Sequence, residues 1–435
     1  MKTYHPEFPR PFGYSTASAV VIASMIGTGV FTTLGLEAQE LKTGFSLMLL
    51  WLVGGVMALA GALSYGELAA AMPRSGGEYH FLGKIYHPML GIVAGWISIT
   101  IGFAAPSALA AMAFSRYASA FANVPTTSLA VLVLVAVSAF HAFSVTMGRR
   151  FHILTTAAKI VLILAFCISG LLVVPASDAT VAPSLSGWHE VFSPSFAFSL
   201  IYVSYAYSGW NATTYIISEV HEPRRVVPRA LFHGTLIVMM LYLLLNFVFL
   251  RTIPVQELAG KIEIGALSAQ YIFGDYGRLL ASAMICVLLL STISAMVMAA
   301  PRVLQVVGED LPGLQPLAIR ARDGTPLRAI LLQLSLAIAF VVTDSFEGVL
   351  SFAGFTLNLI TIFTVAGVFV LRHTAPDMPR PYRVWGYPLT PAVFVLLNSI
   401  ILVFVLQERP VAAISSLFTV LMGVLLAWLH IRRKA

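Results

Sequence analysis

What this sequence lacks first of all is charge. Lys, Arg, Asp and Glu together make up 10% of its 435 residues, against roughly 25% in soluble domains. A chain so poor in charge cannot clothe a water-facing surface, which excludes an ordinary soluble enzyme or binding module. Cysteine is nearly absent too. Cys167 and Cys286 are the only two, each in the middle of an apolar run, so a disulfide-built scaffold is excluded and both are expected to be small packing residues. There is no GxxxxGK[ST] element, so nothing points to ATP-driven pumping. The ten histidines form no cluster with acidic residues or cysteines at metal-ligand spacing. No metal and no cofactor are expected.

Hydrophobic residues fill the space left by charge, at 58%. Apolar runs of about 20 residues recur from end to end, each long enough to cross a hydrocarbon core of ~30 Å. Twelve spans are expected, at about 14–37, 45–71, 88–118, 126–146, 151–174, 194–218, 229–251, 270–300, 328–343, 348–372, 387–407 and 411–431. The first is a full span rather than a short signal core, so the tail before it, with Lys2, Glu7 and Arg10, is expected to be retained. Nineteen of the 26 Lys and Arg residues fall on the N-terminal side of these spans and six on the other, with Lys159 inside a span. That bias predicts both termini in the cytoplasm of an integral plasma (inner) membrane protein. It also accounts for most of the net charge of +7, so no nucleic-acid partner is expected, only lipid and a small molecule.

Two of the spans are interrupted, by Gly27-Thr28-Gly29 and by Ser208-Gly209-Trp210-Asn211. Non-helical backbone at membrane depth leaves N–H and C=O groups unpaired, and it persists only where it lines a cavity or holds a ligand. Paired breaks in corresponding places of two halves point to the substrate site of a secondary transporter. Spans one to five (about 14–174) and six to ten (about 194–372) each open on a broken helix. Five crossings is an odd number, so the second set must run inverted relative to the first, a five-plus-five inverted repeat. The last two spans (about 387–431) stand outside it, beyond the proline-punctuated segment PDMPRPYRVWGYP, which is read as an interfacial connector. The whole of 1–435 is expected to be one all-α transmembrane domain.

The first break frees backbone amides at the N-terminus of a half-helix, where the dipole also favours a carboxylate. The second offers carbonyls that suit an ammonium group. An α-amino acid carries both charges. The alternative for the glycines is close helix packing.

Four motifs, GTGVF, LSYGELAAAMPRSGGEY, YSGWNATTYIISEVHEPRRVVPRAL and APRVLQVVGEDLP, together resemble the amino acid–polyamine–organocation transporter superfamily. The sixth span and RPYRVWGYPLTP are most similar to its L-type amino acid transporter branch and related bacterial permeases. The resemblance implies a leucine-transporter-like fold with broken first and sixth helices and a substrate site lined by Met25, Ile26, Gly27, Thr28, Gly29, Tyr205, Ala206 and Ser208. In it, Thr28 and Gly29 would take the carboxylate, and the carbonyls of Met25, Tyr205 and Ser208 the amine. Tyr205 falls where the branch places an aromatic gate. Ser208 stands where the branch has glycine, and its hydroxyl either narrows the pocket or bonds the substrate.

Lys159 lies nine residues past Arg150, so ~13 Å deeper along a helix, close to mid-membrane, where a charge costs ~2.5–3.5 kcal/mol on translocon scales. The resemblance implies that it replaces a sodium ion between the first break and the eighth span, with Ser291, Thr292 and Ser294 as oxygens. Glu67, near the end of the second span, is read as a structural carboxylate rather than a proton carrier.

These features predict a sodium-independent exchanger of neutral L-amino acids. The alternatives are a proton-coupled symporter and a carrier of cationic amino acids or polyamines. The basic-substrate alternative would need a pocket carboxylate, and the mid-membrane stretches offer none beyond Glu67. An intramembrane enzyme would have only Lys159 with Ser291 to work with, and no channel filter motif occurs. The mammalian members of the branch are linked to an ancillary glycoprotein through a cysteine between the third and fourth spans. The loop around Ala120–Thr126 has none, so no disulfide-linked subunit is expected.

Overall fold

The computed structural model describes residues 12–143, 148–173, 181–310, 319 and 327–432, with backbone alone for 143, 148–155, 301, 302, 305, 306 and 308–310. The tail carrying Lys2 and Arg10, the loop residues Arg320 and Arg322, and the side chains of Arg149, Arg150 and Arg302 lie outside the described residues. All regular structure among the described residues is helical, apart from one isolated bridge between Phe12 and Val220.

The first apolar run forms α1 (Tyr14–Met25) and α2 (Gly29–Glu40), parted by residues 26–28, and α3 (Gly44–Ala71) follows. A short α4 (Glu78–Ile85) occupies a segment expected to be loop. The third apolar run, expected to be one helix, is α5 (Pro88–Ile97), a π-helical turn (Ser98–Gly102) and α6 (Ala104–Ala118). Next come α7 (Thr126–Phe143), α8 (Gly148–Leu172), the short α9 (Leu185–Val191) and α10 (Pro194–Ala206). Beyond the second break the chain resumes as a 3₁₀ segment (Ala212–Glu219) and not an α-helix. The remainder is α11 (Pro223–Thr252), α12 (Val255–Leu258), α13 (Ile264–Asp310), α14 (Leu327–Thr343), α15 (Phe346–Thr374), α16 (Leu389–Glu408) and α17 (Pro410–Arg432). Gly274 divides α13 with φ 73°, ψ −164°, a conformation only glycine adopts without strain, so the eighth run begins past that kink.

Eight of these helical stretches are long and apolar enough to cross a membrane, and three shorter apolar helices accompany them among the described residues. Their starts are marked chemically. Ser193 accepts the Phe196 amide ahead of Pro194, and Ser345 accepts that of Gly348, each satisfying a donor the helix leaves free. Packing orders the bundle from the inside out: α11 lies along α3, α1 against α11, α13 against α6, and α10 against α2 and α3. Trp51, Tyr207 and Tyr242 interlock at the centre, with ring centroids 5.1–5.7 Å apart. The last two helices are peripheral: 28% and 22% of their most apolar windows are buried, against 78% for α1–α2.

Glu67 is a structural carboxylate. From α3 it takes both the Nε (2.9 Å) and Nη2 (2.7 Å) of Arg372 on α15, and the Val384 amide of the connector at 2.7 Å, with Arg380 Nε 3.6 Å away. The prolines of the connector prevent helix there, and this buried anion gathers it onto the bundle.

Candidate functional site

The two breaks meet. A Cβ built on Gly29 would collide with the main chain of Ala206 at the end of α10. At Gly209 (φ 95°) one would lie 2.6 Å from the Ser24 carbonyl oxygen near the end of α1. Each glycine thus admits the other segment's backbone, and close packing accounts for both directly.

Around this contact lies a cavity of about 270 Å³, near the lower end of the ~300–1,000 Å³ of small-molecule sites. Met25, Gly27, Thr28 and Gly29 line it from the first break, and Tyr205, Ala206 and Ser208 from the second. Thr292 of α13 contributes as well, as do Ile97, Ser98 and Gly102 at the π-turn, whose extra backbone residue is a common device at functional sites. The cavity runs along α1 as far as Thr16 and Phe12, and no residue from 30 to 53 lines it. It is therefore extended toward the N-terminal end of α1 and shut toward α2.

Among the described residues, neither Gly27 nor Thr28 donates its N–H to a backbone carbonyl, and the carbonyls of Ala206, Tyr207 and Ser208 accept no backbone N–H. The Gly27 N–H faces the Tyr242 hydroxyl, which leaves the Thr28 donor on one wall and these acceptors on the other. Of the three carbonyls assigned to an amine, that of Met25 accepts the Tyr242 hydroxyl (2.6 Å) and that of Tyr205 the Ser208 amide (2.9 Å). Only the Ser208 carbonyl is without such a partner. Tyr205 lines the cavity, and its hydroxyl faces that of Thr28. Ile26 does not line the cavity; it is 1% exposed and its carbonyl turns away to α8.

That carbonyl accepts the ammonium of Lys159 at 2.9 Å, and Thr292 Oγ1 lies 3.3 Å from the same Nζ. Lys159 is 2% exposed. The expected bridge from the first break to α13 is formed by Thr292 alone. Ser294 pairs instead with His141 of α7 at 2.7 Å, and Ser291 makes no hydrogen bond to the ammonium. Three residues of one helix turn point in different directions, and only one can face α8.

Two cavity residues escaped the sequence reading. Glu78, at the first turn of α4, is 3% exposed and accepts Tyr65 Oη (2.9 Å), Asn211 Nδ2 (2.5 Å) and Tyr215 Oη (2.8 Å). It corrects the expectation that no carboxylate beyond Glu67 is available: Glu67 is outside the cavity and Glu78 lines it. A glutamate in SGGEY reads as a solvated loop charge, and only the packing of α4 against α5 and α15 buries it. Asn358 of α15 also lines the cavity; its Oδ1 accepts Ser204 Oγ at 2.9 Å while its Nδ2 has no partner. An amide within the apolar run TLNLI was the available signal. No group of His, Cys, Asp and Glu that could hold a metal occurs among the described residues.

A multi-pass helical membrane protein whose buried cavity sits between two reciprocal helix breaks belongs to the class of secondary carriers. A family model described as "Amino acid permease" matches residues 12–428, and the chain belongs to that family, within the amino acid–polyamine–organocation superfamily and near its L-type branch. It is a transporter of amino acids and not an enzyme. The chain is 27% identical over 400 residues to the serine/threonine exchanger SteT of Bacillus subtilis (strain 168), covering 90% of each chain. It is 26% identical over 434 residues to the large neutral amino acids transporter small subunit 2 of Mus musculus (95% of this chain, 80% of the relative). It is 27% identical over 388 residues to the human cystine/glutamate transporter (86% and 76%).

Proposed function

We propose that this protein is a sodium-independent exchanger of neutral L-amino acids working by alternating access. The observation that carries the proposal is the opposition, across one small cavity, of the Thr28 amide, which gives no hydrogen bond to a backbone carbonyl, to the Ser208 carbonyl, which accepts none from a backbone amide. An amino acid's carboxylate and ammonium fit that polarity. Thr28 and Gly29 take the carboxylate, with Gly27 beside them. Met25, Tyr205 and Ser208 supply carbonyls for the amine, Ala206 closes the wall between them, and Tyr205 is the gate. Lys159 with Thr292 holds the place of a coupling cation. Among the relatives' names, that of the serine/threonine exchanger supports small neutral side chains and exchange, and that of the large neutral amino acids transporter supports neutral substrates.

In this reading the chain crosses the plasma membrane twelve times, with both termini in the cytoplasm. Repeat one is about 14–174 and repeat two about 194–372, and the helices of 387–431 are additional. The described conformation is then inward-facing. The carrier works with lipid around it, without nucleic acid and without a disulfide-linked partner.

A second reading, transport of basic amino acids, is favoured by one observation: Glu78 places a carboxylate in the cavity wall. Its two oxygens already accept three donors, so neutral substrate is preferred. Uptake of labelled serine into proteoliposomes decides the matter. Stimulation by internal unlabelled amino acid and indifference to sodium are expected. Stronger competition by arginine or lysine than by neutral amino acids would overturn the choice of substrate, and a requirement for a sodium gradient would overturn the mechanism.

A further inference from the structure

Glu37 of α2 takes no part in the site just described. It is fully buried, at 0% exposure. Its Oε2 accepts the Trp51 indole N–H from α3 at 2.7 Å. Its Oε1 has no hydrogen-bond partner, facing the Thr33 hydroxyl one turn earlier without the geometry to bond it.

Beyond that one indole N–H, the surroundings offer no cation to hold a negative charge. From α3 Glu37 meets the Trp51 indole. From the second break and α11 come the phenols of Tyr207 and Tyr242, which pack on the same indole. Lys42, at the end of α2, gives its ammonium to the carbonyls of Ala38 and Gln39. Lys261, whose carbonyl abuts Gly35, makes no ion pair with Glu37, nor does any other cation among the described residues. An isolated buried carboxylate with one bare oxygen is far costlier ionised than neutral. Yet Glu37 stands within one turn of Gln39 and Glu40, which are exposed. A modest separation of α2 from α3 would wet it.

We propose that Glu37 is a proton-linked latch: it carries a proton while the α2 end of the carrier is shut and ionises when that end opens to water. The step is balanced on one side of the membrane. Opening releases the Oε1 proton to the outer water, and closing takes one back from the same water, so the latch moves no proton across. Trp51 reads the change, because its N–H donates to a carbonyl-like oxygen in one state and to a carboxylate in the other. Through Tyr207 and Tyr242 the same indole packs against both breaks, and Tyr242 reaches Met25. The latch rests on the alternating-access reading above and adds to it the group through which outer pH acts.

The sign follows from linkage. The closed form binds the extra proton, so lowering external pH favours closure and raising it favours the outward-open form. The apparent KM for external substrate should fall as external pH rises, by up to ~10-fold per pH unit where the group titrates. Glu37→Gln, which stays neutral and keeps an oxygen for the indole, should show a flat KM over the same range. A flat profile in the wild type, or an undiminished slope in Glu37→Gln, would overturn the proposal. Should the variant prove inactive, infrared difference spectroscopy on the wild type decides: the C=O stretch of a protonated carboxyl must be present in the inward-facing protein and vanish in Glu37→Gln. Its absence would likewise overturn the latch. Sodium dependence or a basic substrate would sink the exchanger reading while leaving this pH slope in place, so the two failures are distinguishable.

Discussion

The ammonium of Lys159 donates to the main-chain carbonyl of Ile26 at 2.9 Å, at the point where α1 has ended and α2 has not begun. A helix break leaves such a carbonyl without an amide partner, and here a side chain from another helix supplies the missing donor.

If Lys159 stands where sodium would bind, replacing sodium by choline should leave uptake unchanged. Lys159→Met keeps the stem but strands the Ile26 carbonyl at a cost of ~1–3 kcal/mol. Initial uptake and the thermal midpoint in detergent should both fall. Lys159→Arg should recover little, because a planar fork cannot replace a compact ammonium between two close acceptors. Full activity in the Met variant would refute the role.

Gly29→Ala should cost both transport and stability, since its Cβ lands on the Ala206 main chain. Loss of activity there does not test a carboxylate site. Thr28→Val does, because it removes the hydroxyl at nearly constant volume. It should raise the KM for amino acids several-fold with the thermal midpoint retained, and an unchanged KM would remove Thr28 from the site.

Ser208→Gly takes a hydroxyl from the cavity wall. Competition assays should show bulkier neutral amino acids gaining ground on serine. If the hydroxyl bonds substrate instead of narrowing the pocket, serine itself should weaken and the bulkier competitors should gain nothing.

Glu67→Ala should be the most damaging to stability of these changes. It leaves Arg372, and Arg380 behind it, without their shared buried anion, and breaking such a pair from one side costs ~3–5 kcal/mol. A large drop in the thermal midpoint is expected, with proteolysis at the connector as its local sign.

Glu190 of α9 provides a pH prediction outside the spans. Burial pushes its carboxyl up, but hydrogen bonds from Ser46 and Thr43 and from the Thr43 and Lys42 amides outweigh that, holding it below the ordinary value of 4.5. A lowered acid contributes stability above 4.5 that is lost as pH falls through the depressed value. Exchange protection of the Lys42 and Thr43 amides should therefore persist at neutral pH and disappear in acid. Glu190→Gln should lose much of it already at neutral pH.

Much of this architecture was legible because lipid forces the backbone to pair with itself, and that leaves long apolar runs in the sequence. The bounds of α14 and α15 fall within two residues of expectation, and both glycine-marked breaks are where the residues put them. Features that change geometry without changing polarity were not legible. The π-turn at Ser98–Gly102 sits in an unbroken apolar run, and the kink at Gly274 looks like any other membrane glycine. Glu37 and Glu78 were passed over because charge near a span end reads as solvated. Only tertiary packing shows that each is covered. The Lys159 partner was half visible: the family resemblance brought α13 to it but could not say which of Ser291, Thr292 and Ser294 turned inward.

The reciprocal contact of the two breaks sets a limit on how this carrier can vary. Where a side chain meets a side chain, volume can be traded, one residue growing as its neighbour shrinks. At Gly29 the obstacle is the Cα of Ala206, and at Gly209 it is the carbonyl of Ser24, atoms that no substitution removes. Ala206→Gly should therefore fail to rescue Gly29→Ala, and a genetic search for suppressors near the contact should come back empty. Variation in what the cavity accepts must then arise on its other walls, among Ser98, Ser208, Thr292 and Asn358.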